Sequence, residues 1–228
     1  MSICVISPKK CCISARKLAL AIGAEFFNMN VSQRRDFREF DLVFNYGSST
    51  QIKYNAIINQ PLAVFRCIDK IESFQCFNAY QQKIPTVDYV TDKNKIPKDW
   101  EIIVCRSSAQ GSGAKELEYC YDYNNIPDAV LYTEYFSHEY EMRIVVFQGE
   151  VVGRYIKQEV EGVWNFVELQ KRGMKSVDDA CINAAKALSI DYVGFDVLAN
   201  DCEDFVILEA NSGPVLTDEV RKAISKIL

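Results

Sequence analysis

The apolar positions of this chain fall into short runs separated by turn signals, and the runs switch between strand-like and helix-like spacing. Residues 2–6 read as a short buried strand. A helix is expected over about 13–22, with Ser14 as its cap, Leu18 and Ile22 four apart, and Gly23 as its stop. Asp41 to Asn45 reads as a second strand that runs into the turn-rich Tyr46-Gly47-Ser48-Ser49-Thr50. Strand, helix, strand in that order begins a small parallel α/β unit. A second unit starts near Pro61. It carries a helix over about 70–82, a turn at Pro85, an irregular stretch to Pro97, a strong strand from Trp100 to Arg106, and the small-residue loop Ser107 to Ala114. The third unit is the most regular. Val130 to Phe136 reads as a strand, and Tyr140 to Phe147 turns at Gln148-Gly149 into Val151 to Val160. A helix follows over about 177–188, with Ser176 and Asp179 in capping-box spacing. A hairpin of 192–199 and 205–211 closes on Asn200 to Asp204. A last helix starts near Thr217, with Val220, Ile224 and Ile227 on one side.

Composition narrows the class without naming it. The 228 residues suit one large domain or two small ones, at roughly 100–200 residues each. Lys and Arg number 26 against 31 Asp and Glu, for a net charge of −5, so the broad basic face of a general nucleic-acid binder is not expected. No apolar run approaches the ~18 residues that cross a bilayer. The N-terminal basic residues Lys9 and Lys10 follow a short apolar run, the reverse of a secretory signal, so a cytoplasmic protein is expected. Nine cysteines with no CxxC pair and a single histidine, His138, do not suit a zinc site; they read as reduced, mostly buried thiols. A nucleophilic cysteine would need a base, and His138 is the only imidazole available.

The chemistry concentrates in the last hairpin. Its strands, Tyr192 to Leu198 and Phe205 to Asn211, are apolar but interrupted by Asp196 and Glu209, and a buried carboxylate must be offset by something. With the turn near Cys202, Asp196 falls about opposite Glu209, and Asn211 shares the face of Glu209. Two carboxylates and an amide oxygen suit a hard cation such as magnesium, which keeps phosphate and water in its remaining positions. The alternative is a half-exposed sheet with both acids pointing outward, and a register change of one residue would separate their faces. On the middle hairpin, a turn at Gln148-Gly149 brings Arg143 near Arg154 or Tyr155, and Glu141 near Lys157. Three cations around one acid suit a phosphate, with a charged solvent face as the bland reading. Gly111-Ser112-Gly113 can offer backbone N–H groups to phosphate oxygens, or serve only as a flexible connection.

The order of these segments resembles the ATP-grasp superfamily, close to its RimK-like glutamate-ligase branch and to short bacteriophage-type homologues. The resemblance runs from about Asn59 to Pro214 and is most specific in Val193-Gly194-Phe195-Asp196 and in Leu208-Glu209-Ala210-Asn211-Ser212-Gly213-Pro214. Leu131 to Tyr135, leading to Glu141-Met142-Arg143, adds to it. It implies an α/β (α+β) fold of two lobes holding ATP between them, preceded by a small α/β domain: residues 1–66, then an N-lobe over 67–131 and a C-lobe over 132–228. It also implies roles. Lys70, after Asp69, would sit near the α-phosphate or adenine, and Arg106 would end the strand before the glycine loop. Ser112 and Gly113 would cover the β- and γ-phosphates. Glu134, Tyr135 and Phe136 would form the hinge strand that hydrogen-bonds adenine, and Arg143 would lie near the γ-phosphate and the acyl substrate. Asp196, Glu209 and Asn211 would be the magnesium ligands. Lys157 joins the nucleotide-binding set through its place in the cation cluster. Two departures, Asp69 for the common Asn and Arg106 for the commoner Lys, keep polarity.

The function implied is ATP-dependent carboxylate–amine ligation through an acylphosphate, with ADP and phosphate released. Arg143 and Arg106 would neutralise charge on the transferring group. The partners implied are ATP, magnesium, a carboxylate and an amine acceptor, which includes peptides and proteins; neither a membrane nor long nucleic acid is expected. Two alternatives stand beside it: a kinase that stops at a phosphorylated acceptor, and a nucleotide-binding module without catalysis. His138 is read as a rim residue, with a place near ribose as one option and no catalytic role required of it. The alternating strand 140–147 fits a monomer interior or a homodimer interface equally. Alanine at Asp196 or Glu209 is expected to abolish turnover and to leave the fold largely intact.

Overall fold

Strands separated by helix-length segments pair in parallel, and strands joined by tight turns pair antiparallel; both regimes occur in this chain. The computed structural model describes residues 1–9, 12–29, 36–110, 117–161, 163–169, 173–214 and 216–228. The first unit is a parallel sheet of order β2-β1-β3-β4, made of β1 (Ile3–Ser7), β2 (Glu25–Asn28), β3 (Leu42–Asn45) and β4 (Ile57–Ile58). Helix α1 (Ile13–Ala21) joins β1 to β2 and ends before Gly23, whose φ of +64° permits the sharp reversal. Ser14 is not the cap. It lies inside the helix, the capping position is Cys12, and no side chain bonds the first turn there.

Two helices follow in series, α2 (Pro61–Ile68) and α3 (Lys70–Ala79). Pro61 sits at the start of α2, where its missing N–H costs nothing. Asp69 separates the helices and caps the second, accepting from the N–H groups of Ile71 at 3.0 Å and Glu72 at 3.2 Å. A small antiparallel sheet of order β5-β8-β6-β7 comes next, from β5 (Tyr89–Val90), β6 (Ile103–Arg106), β7 (Leu117–Cys120) and β8 (Leu131–Glu134). The strands expected over 100–106 and 130–136 are thus shorter than their apolar runs. This lobe has its own core of Ile96, Trp100, Ile103, Cys105, Cys120, Ile126 and Tyr132.

The largest sheet is antiparallel, of order β11-β10-β9-β12-β13, from β9 (Tyr140–Phe147), β10 (Glu150–Val160), β11 (Val163–Glu168), β12 (Tyr192–Ala199) and β13 (Phe205–Asn211). Side chains alternate between its faces. Met142, Ile144 and Val146 on β9 point to one face, as do Val193, Phe195 and Val197 on β12. There they pack against α2, α3 and α4 (Lys175–Leu188) in the main core. The capping box expected at Ser176 does not form: Met174 is the capping position, and the Ser176 hydroxyl donates to Glu203 at 2.7 Å. On the other face, Val145, Phe147, Tyr155 and Tyr192 meet Phe44, Tyr46 and Ile58 of the first unit. Val220 and Ile224 of α5 (Asp218–Ile227) join the same cluster. Thr217 caps that last helix. The first unit and α5 therefore cover only part of this second face. The part they leave open holds Glu141, Arg143, Lys157, Asp196 and Glu209. Among the described residues, no helix is long and apolar enough to cross a membrane.

Candidate active site

Strand register assembles the charged patch. Asp196 is paired with Glu209 on one side and with Arg143 on the other, and Arg143 in turn with Tyr155. A bulge between Asp196 and Val197 keeps Glu209 opposite Asp196 while Ile207 falls opposite Val197 and into the core. Asp196 is only 3% exposed. One of its oxygens accepts from the Arg143 Nε, and the other accepts from the Lys157 Nζ at 3.0 Å. Desolvation alone would lift this carboxyl, but the Arg143 charge and hydrogen bond, then those of Lys157, hold it below its ordinary value. Burial likewise pulls Arg143 down, and Asp196, with Glu209 and Glu141 behind it, more than offsets that, so the guanidinium is raised. Its carbon also lies 5.7 Å from the centre of the Phe166 ring. Lys157 reaches Glu141 as well.

Arg154 does not belong to this cluster. It is paired with Ile144 on the opposite side of the pleat and forks onto Asp178 of α4, with Nε and a terminal nitrogen at 2.8 and 2.6 Å from the two oxygens. The three-cation reading therefore reduces to two cations, Arg143 and Lys157, facing two acids, Glu141 and Asp196.

Glu209 accepts from the Lys70 Nζ at 3.2 Å and from the Asn211 amide nitrogen at 3.2 Å. Lys70 is buried at the start of α3, and its N–H is bonded to the Ala109 carbonyl at 3.0 Å, which ties the helix to the segment before the small-residue loop. Arg106 ends β6, within range of the Glu209 charge. Burial lowers its guanidinium from the ordinary value, Glu209 offsets part of that, and its Nε is buried without a hydrogen-bond partner among the described residues. Ser112 and Gly113 lie outside the described residues. Among the described residues, no three Asp, Glu, His or Cys groups gather to hold a metal by themselves. Two carboxylates and an amide on adjoining strands suit magnesium, which draws its other ligands from phosphate and water.

The hinge residues sit where β8 leaves the small sheet. Glu134 is paired with Ile103, and the Tyr135 N–H bonds the Ile102 carbonyl at 3.0 Å. Burial raises the Glu134 carboxyl, and Asp88, Asp99 and Glu101 push the same way. Tyr135 is half-exposed, with its ring centre 6.0 Å from that of Tyr119 and 6.2 Å from that of His138. The His138 Nδ1 is bonded to the Phe136 carbonyl at 2.9 Å, so the imidazole is fixed beside the hinge.

A cavity of about 390 Å³ opens beside Lys70, Glu209 and Asn211. Its far wall comes from the first unit, through Ser7, Lys9, Cys12 and Tyr46. Sequence reasoning missed these residues, because a wall drawn from a separate unit leaves no local pattern; Tyr46-Gly47 reads only as a turn.

Comparison with known proteins gives the same architecture. Across 100% of this chain and 98% of the other, the fold superposes on the ATP-grasp ligase PsnB, solved with its minimal precursor, at a TM-score of 0.71 and 12% identity. It superposes on the D-alanine–D-alanine ligase of Bacillus anthracis, solved with ATP, at 0.67 and 16% identity, covering 100% and 92% of the two chains. The fold is ATP-grasp. Residues 116–227, just under half of the chain, match the family model of the RimK-like ATP-grasp domain. The human N-acetylaspartylglutamate synthase A is 25% identical over 181 aligned residues, spanning 68% of this chain and 46% of that protein. The chain thus covers less than half the length of that relative.

Proposed function

We propose that this chain is an ATP-dependent carboxylate–amine ligase. The reading rests on one convergence: Asp196 opposite Glu209, Asn211 beside them, Lys70 on Glu209, and a buried Arg106 Nε with no hydrogen-bond partner among the described residues. A phosphate oxygen would satisfy that nitrogen and offset its desolvation. In the proposed reaction a substrate carboxylate attacks the γ-phosphorus of ATP, the bond to the β-phosphate oxygen breaks, and ADP leaves. An amine then attacks the acyl carbon of the acylphosphate, and phosphate departs as the amide forms.

A magnesium ion held by Asp196, Glu209 and Asn211 would neutralise charge on the phosphates. Lys70 and Arg106 would bind phosphate oxygens, and the hinge Glu134-Tyr135-Phe136 would hold adenine. Ser112 and Gly113 would supply backbone N–H groups. Arg143, oriented by Asp196, would face the carboxylate as it becomes an acylphosphate, with Lys157 fixing the other Asp196 oxygen. No covalent enzyme intermediate is needed, in keeping with a chain whose single imidazole is tied to a carbonyl. We place the carboxylate in the 390 Å³ cavity. The PsnB structure with its precursor supports a peptide or protein substrate. The division 1–66, 67–131 and 132–228 is the working division of this proposal, with ATP between the last two. The described cysteines are free thiols, which suits a cytoplasmic setting.

The test is calorimetric titration of ATP and a non-hydrolysable analogue, with and without magnesium, on wild type and Arg106→Met. Magnesium-strengthened binding by wild type is expected, weakened about tenfold or more in the variant, as for loss of a charge-assisted hydrogen bond. The melting temperature of the variant should be unchanged or higher, because a buried orphan donor is gone. Absence of nucleotide binding by wild type would overturn the proposal.

A further inference from the structure

The magnesium-ligand strand does not end freely. After Asn211, the chain runs through Ser212, Gly213 and Pro214, and each of these meets the first unit or β12. The Tyr46 hydroxyl, on the turn after β3, donates to the Pro214 carbonyl. Its ring lies against Gly213 so closely that a Cβ there would stand 3.1 Å from two ring carbons. Gly47, at φ +87°, continues the turn past Ser212 and Gly213. On the other side, a Cβ on Gly194 would come within 2.7 Å of the Pro214 ring. The segment after Asn211 is therefore gripped between Tyr46 and β12.

Tyr46 is itself held. Asn45, the residue before it, bonds the Ser48 carbonyl at 2.8 Å and the Asn59 carbonyl at 2.9 Å. Asn59, fully buried at φ +65°, accepts from the Tyr192 N–H and donates to the Tyr192 carbonyl, both at 2.8 Å. These amides are satisfied and desolvated, so the turn carrying Tyr46 is fixed to the strand that bears Asp196. The first unit thus reaches β12 and the segment that follows β13 through buried polar contacts.

We infer that Tyr46 is a positioning residue: through the Pro214 carbonyl it sets the line of Asn211-Ser212-Gly213, and with it the presentation of Asn211 and Glu209 to magnesium-bound nucleotide. The inference rests on the ligase reading of the site. It assigns the small first unit a share in metal-dependent nucleotide binding besides forming a cavity wall.

The experiment titrates a non-hydrolysable ATP analogue into the full chain, with and without magnesium, comparing wild type, Tyr46→Phe and Tyr155→Phe. Tyr155 is the control, because its buried hydroxyl bonds Thr217 at 2.6 Å and leaves the 211–214 segment alone. Tyr46→Phe should weaken binding in magnesium about tenfold and leave metal-free binding unchanged, as expected for loss of one buried hydrogen bond that acts on the metal ligands. Tyr155→Phe should change neither titration. Gly213→Ala, which pushes the Tyr46 ring, should reproduce the magnesium-specific loss and decides the matter should Tyr46→Phe fold poorly. Wild-type affinity in both Tyr46→Phe and Gly213→Ala, an equal loss with and without magnesium, or the same loss in Tyr155→Phe would overturn the inference. Absence of binding by wild type would instead overturn the ligase reading, and the inference with it.

Discussion

Asp196→Ala and Glu209→Ala remove one carboxylate each from the same site, yet they are expected to differ sharply in their cost to the fold. Asp196 has a side chain 5% exposed and compensates two cations that are themselves buried, Arg143 at 11% and Lys157 at 9%. Glu209 is 21% exposed and pairs with one, Lys70. Removing one member of a buried ion pair typically costs about 3–5 kcal/mol, because the partner is left charged in a poor solvent. For a chain of this size that corresponds to a fall of about 6–20 °C in melting temperature, at ~2–4 °C per kcal/mol. For Glu209→Ala the loss is closer to that of one charged hydrogen bond, about 1.5–3 kcal/mol. The expectation that both variants keep the fold largely intact thus holds better for Glu209 than for Asp196. Thermal unfolding followed by circular dichroism measures both, with urea midpoints as a check. Adding Arg143→Met to Asp196→Ala should restore part of the loss, since one orphaned charge goes with it. Acid supplies a further check. A carboxyl held below its ordinary 3.8 contributes stability that is complete above that value and lost as pH falls through the folded-state one. The gap between wild type and Asp196→Asn should therefore narrow on acidification. Asp196→Ala melting at or above Glu209→Ala would refute the reasoning.

Gly194→Ala places a methyl 2.7 Å from the Pro214 ring and 3.0 Å from the Arg143 side chain, so it should cost about 1–3 kcal/mol by overpacking. It should weaken nucleotide binding at the same time, read by melting and titration. Burial raises the Asp191 carboxyl above its ordinary value, so the folded state favours its protonated form, and ionisation as pH rises costs stability. Asp191→Asn should melt higher than wild type near pH 7, with the advantage disappearing near pH 3.

The last hairpin was legible because two apolar strands around a turn leave little freedom of register. Asp196 does face Glu209, as the turn at Asn200–Asp204 implies. The middle hairpin was legible to within one residue. The ambiguity between Arg154 and Tyr155 matters there, since successive residues of a strand serve opposite faces, and Arg154 belongs to α4. Helix α2 left no signature. Leu62, Ala63, Val64, Phe65, Cys67 and Ile68 are apolar around its whole circumference, and three of them are exposed. Strands β2, β5, β7 and β11 are short or lie at sheet edges with mixed burial, where alternation is weak. Ser14 and Ser176 carry the chemistry of caps but fall inside their helices, each two residues past the capping position, Cys12 or Met174, which makes no side-chain cap bond. The cavity wall and the Tyr46–Pro214 bond depend on residues far apart in the chain, which periodicity does not register.

The aromatic cluster joining Phe44 and Tyr46 to Phe147, Tyr155 and Tyr192 also has a consequence for how the molecule opens. A hydrophobic core shared between the first unit and the largest sheet gives neither part a lower-energy way to come apart alone. Amides of β1, β3, β9 and β12 should exchange with solvent at one common, slow rate. The β5-β8-β6-β7 lobe has seven buried residues in a core of its own and meets the main core through Leu131 and Tyr89, so it should loosen ahead of the remainder, with β8 the last of its strands to let go. Evolution or an engineer can therefore vary that lobe piecemeal. Transplanting the first 60 residues from another protein would demand matching replacements along three strands of the sheet it rests on.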